Sequence, residues 1–383
     1  MPRLVISTVG TSILTNQINI RSESDWYNLL EERANDKEID NNEDFLEAME
    51  ALPRRAKEKL YSDYGRKIIN HKIDEIRRTS AELNGIYGLY CEPLNQNNQD
   101  IHWLIATDTA QGQIAAKIIE EFLKYQGLTN ISIYTPPGLS TATTQKFSEG
   151  IDELLVWLRN QIIPLRERYK IYFNLVGSFK SLQGYMNTIG LFYADEIIYI
   201  FEGKLSELIR IPRLPIRVDE SAIEPHAAKL ALMNAGAGLS DSEVTNIPEA
   251  LIGDCGGKKV LSTWGQLIWN ECKKELFSKD LLEFPRLQYA DTFRADYNKI
   301  KNEQQKKVEL QQDLAKVSCL LIESEGDTSV LKEHPGFRYD KYTNKGDIAH
   351  FRVNQGLRIS CTSSQGVLIL RHYGKEPDVN KNP

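Results

Sequence analysis

The sequence predicts an α/β fold, with a mostly parallel sheet in the first half of the chain and a smaller α+β domain at its end. In the first half, short apolar runs rich in β-branched residues alternate with longer helical patterns. Strands that alternate with helices form parallel sheets with helices on both faces. In the last quarter, runs with a period of two are separated by glycine-containing turns, which is typical of antiparallel strands.

Composition narrows the class of protein. The chain has 383 residues, of which 41% are hydrophobic and 26% charged, as in ordinary globular proteins. No apolar run approaches the roughly 20 residues of a membrane helix, and the first residues do not resemble a secretory signal. Five cysteines without CxxC spacing predict a cytoplasmic protein with neither disulfides nor a zinc site. The net charge is −6, yet residues 331–383 carry nine Lys and Arg against five Asp and Glu, which favours contact with a polyanion.

The first domain is predicted to cover residues 1–216. Its predicted strands are residues 4–8, 103–106, 131–134, 170–173 and 196–201, followed by an extended segment at 208–216. Residues 24–83 are charged and helix-forming, and they predict two or three amphipathic helices interrupted at Pro53. These helices form an insertion at about residues 20–85.

Four predicted strands end in small polar turns. The carboxyl ends of parallel strands meet at one edge of a sheet, where ligands bind. In the turn at 174–180, backbone N–H groups at the start of a helix would face an anion, and Lys180 adds positive charge. No turn matches a dinucleotide fingerprint or a P-loop, but together they predict a site for a phosphate-bearing ligand. The candidate ligand-binding residues are Gly10, Thr11, Ser12, Thr107, Asp108, Thr109, Gly138, Leu139, Gly177, Ser178, Phe179 and Lys180.

The order of these turns resembles the CARF domain of CRISPR-associated effectors. The resemblance extends over about residues 1–216 and rests on four segments, namely residues 4–12, 107–109, 174–180 and 211–215. In that family the 174–180 turn reads Asn-x-x-Gly-Gly-x-Lys, whereas this chain has Ser178 at the second glycine. The resemblance implies a Rossmann-like domain that forms a homodimer and binds a cyclic oligoadenylate across its two-fold axis.

The same resemblance implies roles for individual residues. Thr11, Ser12 and Lys180 would face the backbone of the ring, while Asp108 and Thr109 would read ribose or adenine edges. We favour cyclic tetra-adenylate, although the sequence leaves the ring size open. It also leaves open whether Thr11 or Ser12, together with Lys180, slowly cleaves the activator.

Residues 217–288 form a predicted connector that is partly helical, with a helix expected at 261–284. Two patterns for other nucleases occur outside the predicted sites. Asp254, Glu271 and Lys273 match the carboxylate–carboxylate–lysine pattern of metal-dependent nucleases, but that motif normally lies on a strand. Residues 66–71 have the Arg-x4-His spacing of HEPN ribonucleases, which an exposed helix face also explains.

Residues 289–383 are predicted to form the α+β domain. A polar helical run at 299–322 precedes period-2 segments at residues 337–342, 350–354, 357–361 and 367–373. Gly356 and Gln365-Gly366 are the expected hairpin turns. This order resembles the RelE/ParE toxin superfamily, in which RelE enzymes cleave messenger RNA in the ribosomal A site without a metal and ParE proteins poison gyrase.

The RelE-like resemblance rests on residues 351–359 and 367–375. By motif position Arg358 matches the strand arginine of the toxins, and Arg352 and Asn354 stand where lysines are usual. No tyrosine follows residue 375, so Tyr373 or His372 would have to substitute for it.

RNA cleavage by the 2′-hydroxyl requires charge stabilisation on the phosphoryl oxygens and proton transfer. Arg358 and Arg371 are candidate phosphate clamps, and His372 is a candidate acid or base. Strict strand alternation places Arg371 and His372 on opposite faces. The candidate catalytic residues are Arg352, Arg358, Arg371, His372 and Lys375.

The sequence therefore predicts a cytoplasmic homodimer of type III CRISPR defence, a messenger-RNA interferase activated by cyclic oligoadenylate. Its predicted substrate is messenger RNA on the ribosome, cleaved without a metal or another cofactor. One alternative is a ligand-responsive CARF regulator with a non-catalytic toxin fold. The other is a metal-dependent nuclease that uses Asp254 and Glu271.

Overall fold

A computed structural model describes residues 1–39, 42–61, 69–90, 94, 99–201 and 207–383, with side chains omitted for 69–72. Cys91 and the Arg66 to His71 pattern lie outside the described side chains. The chain divides into two compact units, Met1–Ile216 and Arg217–Pro383. Within the described ranges, no helix is long and apolar enough to cross a membrane.

The first unit contains one sheet and the helices that cover it. Its strands are β1 (Arg3–Thr8), β2 (Ile101–Ile105), β3 (Asn130–Tyr134), β4 (Lys170–Asn174), β5 (Glu196–Ile200) and β6 (Leu208–Pro212). Its helices are α1 (Ser12–Thr15), α2 (Ser24–Glu32), α3 (Glu43–Tyr61), α4 (Ile69–Thr79), α5 (Ala81–Tyr90), α6 (Ala110–Tyr125), α7 (Thr144–Ile162) and α8 (Lys180–Tyr193).

The sheet of the first unit has the strand order β3-β2-β1-β4-β5-β6. Strands β1 to β5 are parallel and β6 runs antiparallel to β5, so the predicted mostly parallel sheet is confirmed. This is the order of doubly wound sheets, in which the chain changes direction between β1 and β4. Ligands bind such sheets beyond the carboxyl ends of the strands at that switch point.

The insertion contributes to the core as well as to the surface. Phe45 and Leu52 of α3 are fully buried in one apolar cluster with Val5 of β1 and Phe122 of α6. The described insertion holds four helices, α2 to α5, where two or three were predicted. The predicted break at Pro53 is wrong because Pro53 lies inside α3, and burial of that helix's apolar face outweighs the cost of a helical proline, about 3 kcal/mol.

The second unit is an α+β structure. Its helices are α9 (Glu220–Ile223), α10 (Ala227–Asn234), α11 (Asp241–Val244), α12 (Thr263–Ser278), α13 (Asp291–Lys299), α14 (Gln304–Glu323), α15 (Ser329–Glu333) and α16 (Glu376–Lys381). Its strands are β7 (Ile252–Cys255), β8 (Lys258–Leu261), β9 (Leu287–Tyr289), β10 (Asp340–Lys341), β11 (Ala349–Arg352), β12 (Leu357–Ser364) and β13 (Val367–Lys375).

The helix expected at 261–284 is shorter than predicted. Leu261 ends the β7–β8 hairpin, and α12 begins after Ser262, whose side chain accepts a hydrogen bond from Gly265 N at 3.0 Å. Trp269 and Phe277 of α12 are buried in the same core as Phe293 and Phe351. The segment predicted as a connector therefore shares one core with the segment that follows it.

The main sheet of the second unit has the order β10-β11-β12-β13-β9. Strands β10 to β13 form the predicted antiparallel meander. Gln365 and Gly366 connect β12 to β13 with φ values of 50° and 73°, which is typical of a type I′ hairpin turn. The short strand β9 pairs in parallel with β13; this pairing was not predicted, because three residues carry too little periodicity.

A β-bulge in the meander changes which side chains share a face. Ser360 lies opposite His372 and Cys361 lies opposite Leu370, so Arg371 is the extra residue. Leu370 and Tyr373 both enter the core. Strict alternation would place Leu370 and His372 on the same face, but the bulge resets the period and places them on opposite faces.

Candidate functional sites

A cavity of about 420 Å³ opens beyond the carboxyl ends of β1, β2 and β4. It lies at the β1–β4 switch point of the sheet. All four predicted turns contribute to it, the turn after β3 through Ser140 and Thr141, together with parts of the insertion. The candidate ligand-binding residues that line it are Gly10, Thr11, Ser12, Thr107, Thr109, Gly177, Ser178 and Phe179.

The turns after β1 and β4 are packed against each other. A Cβ atom on Gly10 would lie 2.8 Å from Ser178 N, so only glycine fits there. The Thr8 hydroxyl donates a 2.7 Å hydrogen bond to Gly177 O across the same gap. The two turns therefore form one rigid rim of the cavity.

Ser178 stands in an unusual backbone conformation. Its φ is 99°, a region that non-glycine residues rarely occupy. Its Oγ is buried without a hydrogen-bond partner in the described structure. Helix α8 begins two residues later, and no side chain caps its first N–H groups. At this rim, the unpartnered hydroxyl of a residue with a strained backbone lies near backbone N–H groups that no side chain caps. Anion-binding sites have such groups.

Glu82, at the start of α5, lies buried beneath this rim. Its Oε1 accepts a hydrogen bond from Gly10 N at 2.7 Å, and its Oε2 accepts from Ser12 Oγ at 3.1 Å and from Ser80 Oγ at 2.5 Å. A Cβ atom on Gly177 would lie 1.9 Å from Glu82 Oε1. Burial raises the pKa of Glu82, which favours the protonated form.

Glu82 was missed by the sequence analysis, although a signal was present. It is the single acidic residue of an otherwise apolar helix, α5, and it is completely buried. Asn174 reinforces the arrangement, because its amide donates to Glu82 O and to Ser7 Oγ, at 3.0 Å each. An acid inside an apolar helix indicates a buried polar site rather than a solvated face.

The insertion supplies further lining residues that were not predicted. Asn35 Oδ1 accepts hydrogen bonds from both the backbone N and the hydroxyl of Thr141, at 2.9 Å each. The described lining consists of small, hydroxyl-bearing, amide and apolar residues, and none of them is positively charged. A ligand there would therefore be bound by hydroxyl, amide and backbone N–H groups, and not by side-chain cations.

Four predicted ligand-binding residues do not line the cavity. Asp108 pairs with Lys37 at 2.5 Å and accepts a 3.0 Å hydrogen bond from Gly138 N. Lys37 thereby lowers the pKa of Asp108. Leu139 is fully buried, and Lys180 is exposed at the start of α8. The turn after β3 thus lines the cavity through Ser140 and Thr141, and Asp108 ties it to the turn after β2.

The second candidate site is the polar face of the meander in the second unit. Arg352 lies opposite Arg358, and Ser360 lies between His350 on β11 and His372 on β13. Residues paired across antiparallel strands project from the same face. The sheet therefore places Arg352, Arg358 and His372 on one face.

Arg358 is nearly buried, with 9% of its surface exposed. Its Nη2 donates a 2.5 Å hydrogen bond to Glu376 Oε1, and its Nη1 lies 3.4 and 3.5 Å from the two ring nitrogens of His350. A guanidinium has only donors and a neutral imidazole has one acceptor nitrogen, so at most one ring nitrogen of His350 accepts from Arg358. Burial, and then the charge of Arg358, lowers the pKa of His350. Neither His350 nor Glu376 was predicted as a site residue.

The remaining candidate catalytic residues have different surroundings. His372 Nδ1 lies 3.1 Å from Asp296 Oδ2, which also accepts from Tyr373 N. Arg371 Nη2 donates to Pro383 O at 3.3 Å. Lys375 pairs with Leu357, so it projects from the face opposite Arg358. Hence Lys375 does not join the Arg358 cluster.

The pattern for a metal-dependent nuclease is divided between two elements. Asp254 lies on β7 and pairs with Lys259 at 3.0 Å, whereas Glu271 lies on α12. Among the residues with described side chains, no group of three or more His, Cys, Asp and Glu could hold a metal ion.

A comparison with known protein families finds a match within the first unit. Residues 77–214 match the family model described as CRISPR-associated protein (Cas_APE2256). The matched segment contains α5 with Glu82, the strands β2 to β6 and the 174–180 turn, but neither β1 nor the second unit. It covers less than half of the chain, and over that segment the chain is similar to this family. The match supports a CRISPR-associated protein.

Proposed function

We propose that this chain is an RNA-cleaving effector of type III CRISPR defence that a cyclic oligoadenylate activates. The ring, of which cyclic tetra-adenylate is the favoured form, binds a CARF-type site in the first unit of a homodimer. The second unit acts as a RelE-like ribonuclease on messenger RNA at the ribosome. The reaction requires no metal or other cofactor.

The observation that carries the proposal is the cavity at the switch point. The turns that resemble the CARF domain meet there, and nine of the sixteen residues that line the cavity belong to the matched family segment. Hydroxyl groups, backbone donors and the uncapped start of α8 suit a ligand with riboses, bases and phosphates. A doubly wound sheet binds nucleotides at this position.

The chemistry assigned to the second unit uses residues of one sheet face. The 2′-oxygen of RNA attacks the adjacent phosphorus, and the P–O5′ bond breaks to leave a 2′,3′-cyclic phosphate. Arg358 stabilises the charge on the phosphoryl oxygens through charge-assisted hydrogen bonds. One base takes the 2′-hydroxyl proton and one acid protonates O5′. His372, oriented by Asp296, is the candidate for one of these transfers.

Titration with three-, four- and six-membered oligoadenylate rings tests the proposal. Cleavage of free RNA is followed with and without EDTA, and inhibition of translation is followed in parallel without EDTA, because ribosomes require Mg²⁺. We expect one ring size to stimulate cleavage and EDTA to leave the rate unchanged. The proposal is wrong if no ring stimulates cleavage, and abolition by EDTA would favour a metal-dependent nuclease.

A second function, a ring-responsive regulator without catalysis, is favoured by one observation. Arg358 is engaged by Glu376 rather than open to a substrate. In this alternative the second unit binds a partner in response to the ring. Ring binding without cleavage of free or ribosome-associated RNA would support it.

A further inference from the structure

Helix α16 lies on the polar face that carries Arg358. Glu376 at its start pairs with Arg358, and Asn380 Oδ1 accepts a 2.8 Å hydrogen bond from Tyr342 OH. Val379 is buried, and its Cγ2 would lie 3.5 Å from a Cβ atom on Gly374. These contacts hold the helix across the strands β12 and β13.

Beneath the helix, polar atoms remain without partners. Arg358 Nε and Ser360 Oγ are buried and make no hydrogen bond in the described structure. Arg358 is 9% exposed and Ser360 is fully buried. Buried polar groups are normally satisfied, so unpartnered donors side by side indicate a site that binds an anion in another state.

The Glu376 carboxylate occupies the position that such an anion would take. A guanidinium binds carboxylates and phosphates through the same planar set of donors. In this structure Nη2 of Arg358 already donates to Glu376 Oε1 at 2.5 Å. A phosphate of RNA would have to compete with this carboxylate for the guanidinium.

We propose that Arg358 and Ser360 form a phosphate subsite for RNA that the chain itself occludes, with Glu376 as an internal phosphate mimic on helix α16. Release of α16 opens the subsite. This inference rests on the proposed function, because it concerns the regulation of the same face. An activating ligand would shift the equilibrium only if it binds the open state more tightly.

The test measures binding of a single-stranded RNA whose riboses are all 2′-O-methylated, so that no 2′-hydroxyl can attack. The full chain is compared with Glu376→Gln, which keeps the shape of the side chain and removes its charge. Loss of one charge-assisted hydrogen bond to a competing anion should tighten RNA binding roughly 10- to 100-fold. Asp378→Asn is the matched control: it makes the same charge change, on the same helix, at an exposed residue.

A second substitution tests whether the gain in RNA affinity depends on Arg358. In the Glu376→Gln background, Arg358→Ala should remove the gain in RNA affinity. The proposal is overturned if Glu376→Gln binds RNA no more tightly than the unmodified chain, or if Asp378→Asn gains as much. It is also overturned if the gain survives the loss of Arg358.

Cleavage assays on the same variants separate this inference from the proposed function. Tighter RNA binding by Glu376→Gln, with no ring able to stimulate cleavage in any variant, supports the occluded subsite and contradicts the proposed function. Ring-stimulated cleavage with unchanged RNA binding by Glu376→Gln contradicts the occluded subsite and leaves the proposed function intact.

Discussion

The cavity of the first unit and the polar face of the second unit differ in the charge of their side chains. The described lining of the cavity has no positive charge, and a buried carboxylate, Glu82, lies behind its rim. The polar face carries Arg352 and Arg358, and its carboxylate, Glu376, comes from a helix laid over it. In both sites, a carboxylate from outside the sheet occupies donors that an anion could use.

The difference lies in what holds each carboxylate. Glu82 receives only neutral donors, and burial without a cation raises its pKa. Glu376 is paired with a guanidinium and is partly exposed. A proton can therefore neutralise the first carboxylate in place, whereas the second must move away to free its partner. The cavity of the first unit is therefore suited to binding a ligand. The polar face of the second unit is suited to being uncovered when Glu376 moves away.

The largest expected effect is at Arg358. Arg358→Ala should reduce ring-stimulated RNA cleavage about 100- to 1,000-fold, because one preorganised charge donor is lost. Arg358→Lys should recover little of the rate, since an ammonium lacks the planar fork. Cleavage rates under single-turnover conditions measure the effect, and Lys345→Ala, at an exposed turn, is the control. Full activity in both Arg358→Ala and Arg371→Ala would show that the reaction occurs elsewhere.

Gly177→Ala tests the packing of the cavity rim against Glu82. The new Cβ would lie 1.9 Å from Glu82 Oε1, so we expect a loss of about 1–3 kcal/mol in the free energy of unfolding. Ring binding should weaken at the same time, as measured by calorimetry. Gly184→Ala, on an exposed position of α8 with no atom within 4 Å, should be neutral or stabilise by up to about 1 kcal/mol. Equal stability of the two variants would contradict the packing described here.

Glu82→Gln tests the protonation of this buried carboxyl group. The pKa of Glu82 is raised above its ordinary value of 4.5, so above that pH the native state holds a proton that the unfolded chain has lost. Stability then falls as pH rises, by about 1.4 kcal/mol per pH unit, until the native carboxyl also ionises. Glu82→Gln should remove this slope.

Denaturant unfolding of both proteins at several pH values between 4.5 and 8 measures the slope. Glu47→Gln, on the exposed side of α3, is the control for loss of a carboxylate. Parallel curves for Glu82→Gln and the unmodified chain would show that the buried carboxyl ionises normally.

The smallest effect is expected at Ser178. Its φ of 99° favours glycine, so Ser178→Gly should raise the free energy of unfolding by about 1 kcal/mol. Ser181→Gly, in the exposed first turn of α8, should instead lower it by up to about 1 kcal/mol. Chemical denaturation measures both. A loss of stability in Ser178→Gly would mean that its hydroxyl contributes more than the backbone strain costs.

Local sequence patterns predicted the elements whose signal lies within a few residues. The parallel strands, the polar turns after them and the β12–β13 hairpin at Gln365-Gly366 follow from apolar runs and turn chemistry. The partners of Arg358 did not follow in this way, because His350 and Glu376 reach it from neighbouring segments of the fold. The bulge at Arg371 could not be predicted from local patterns either, since it depends on how β13 pairs with β12.

The sequence by itself determined that the chain begins with an α/β unit whose strand ends carry polar turns, since periodicity and turn residues act locally. Only the tertiary structure decided which groups meet those turns. Glu82 reaches Gly10 across 72 positions of the chain and Thr8 bonds Gly177 across 169. Contacts over such separations depend on how the helices and strands pack, and no local pattern of residues specifies them.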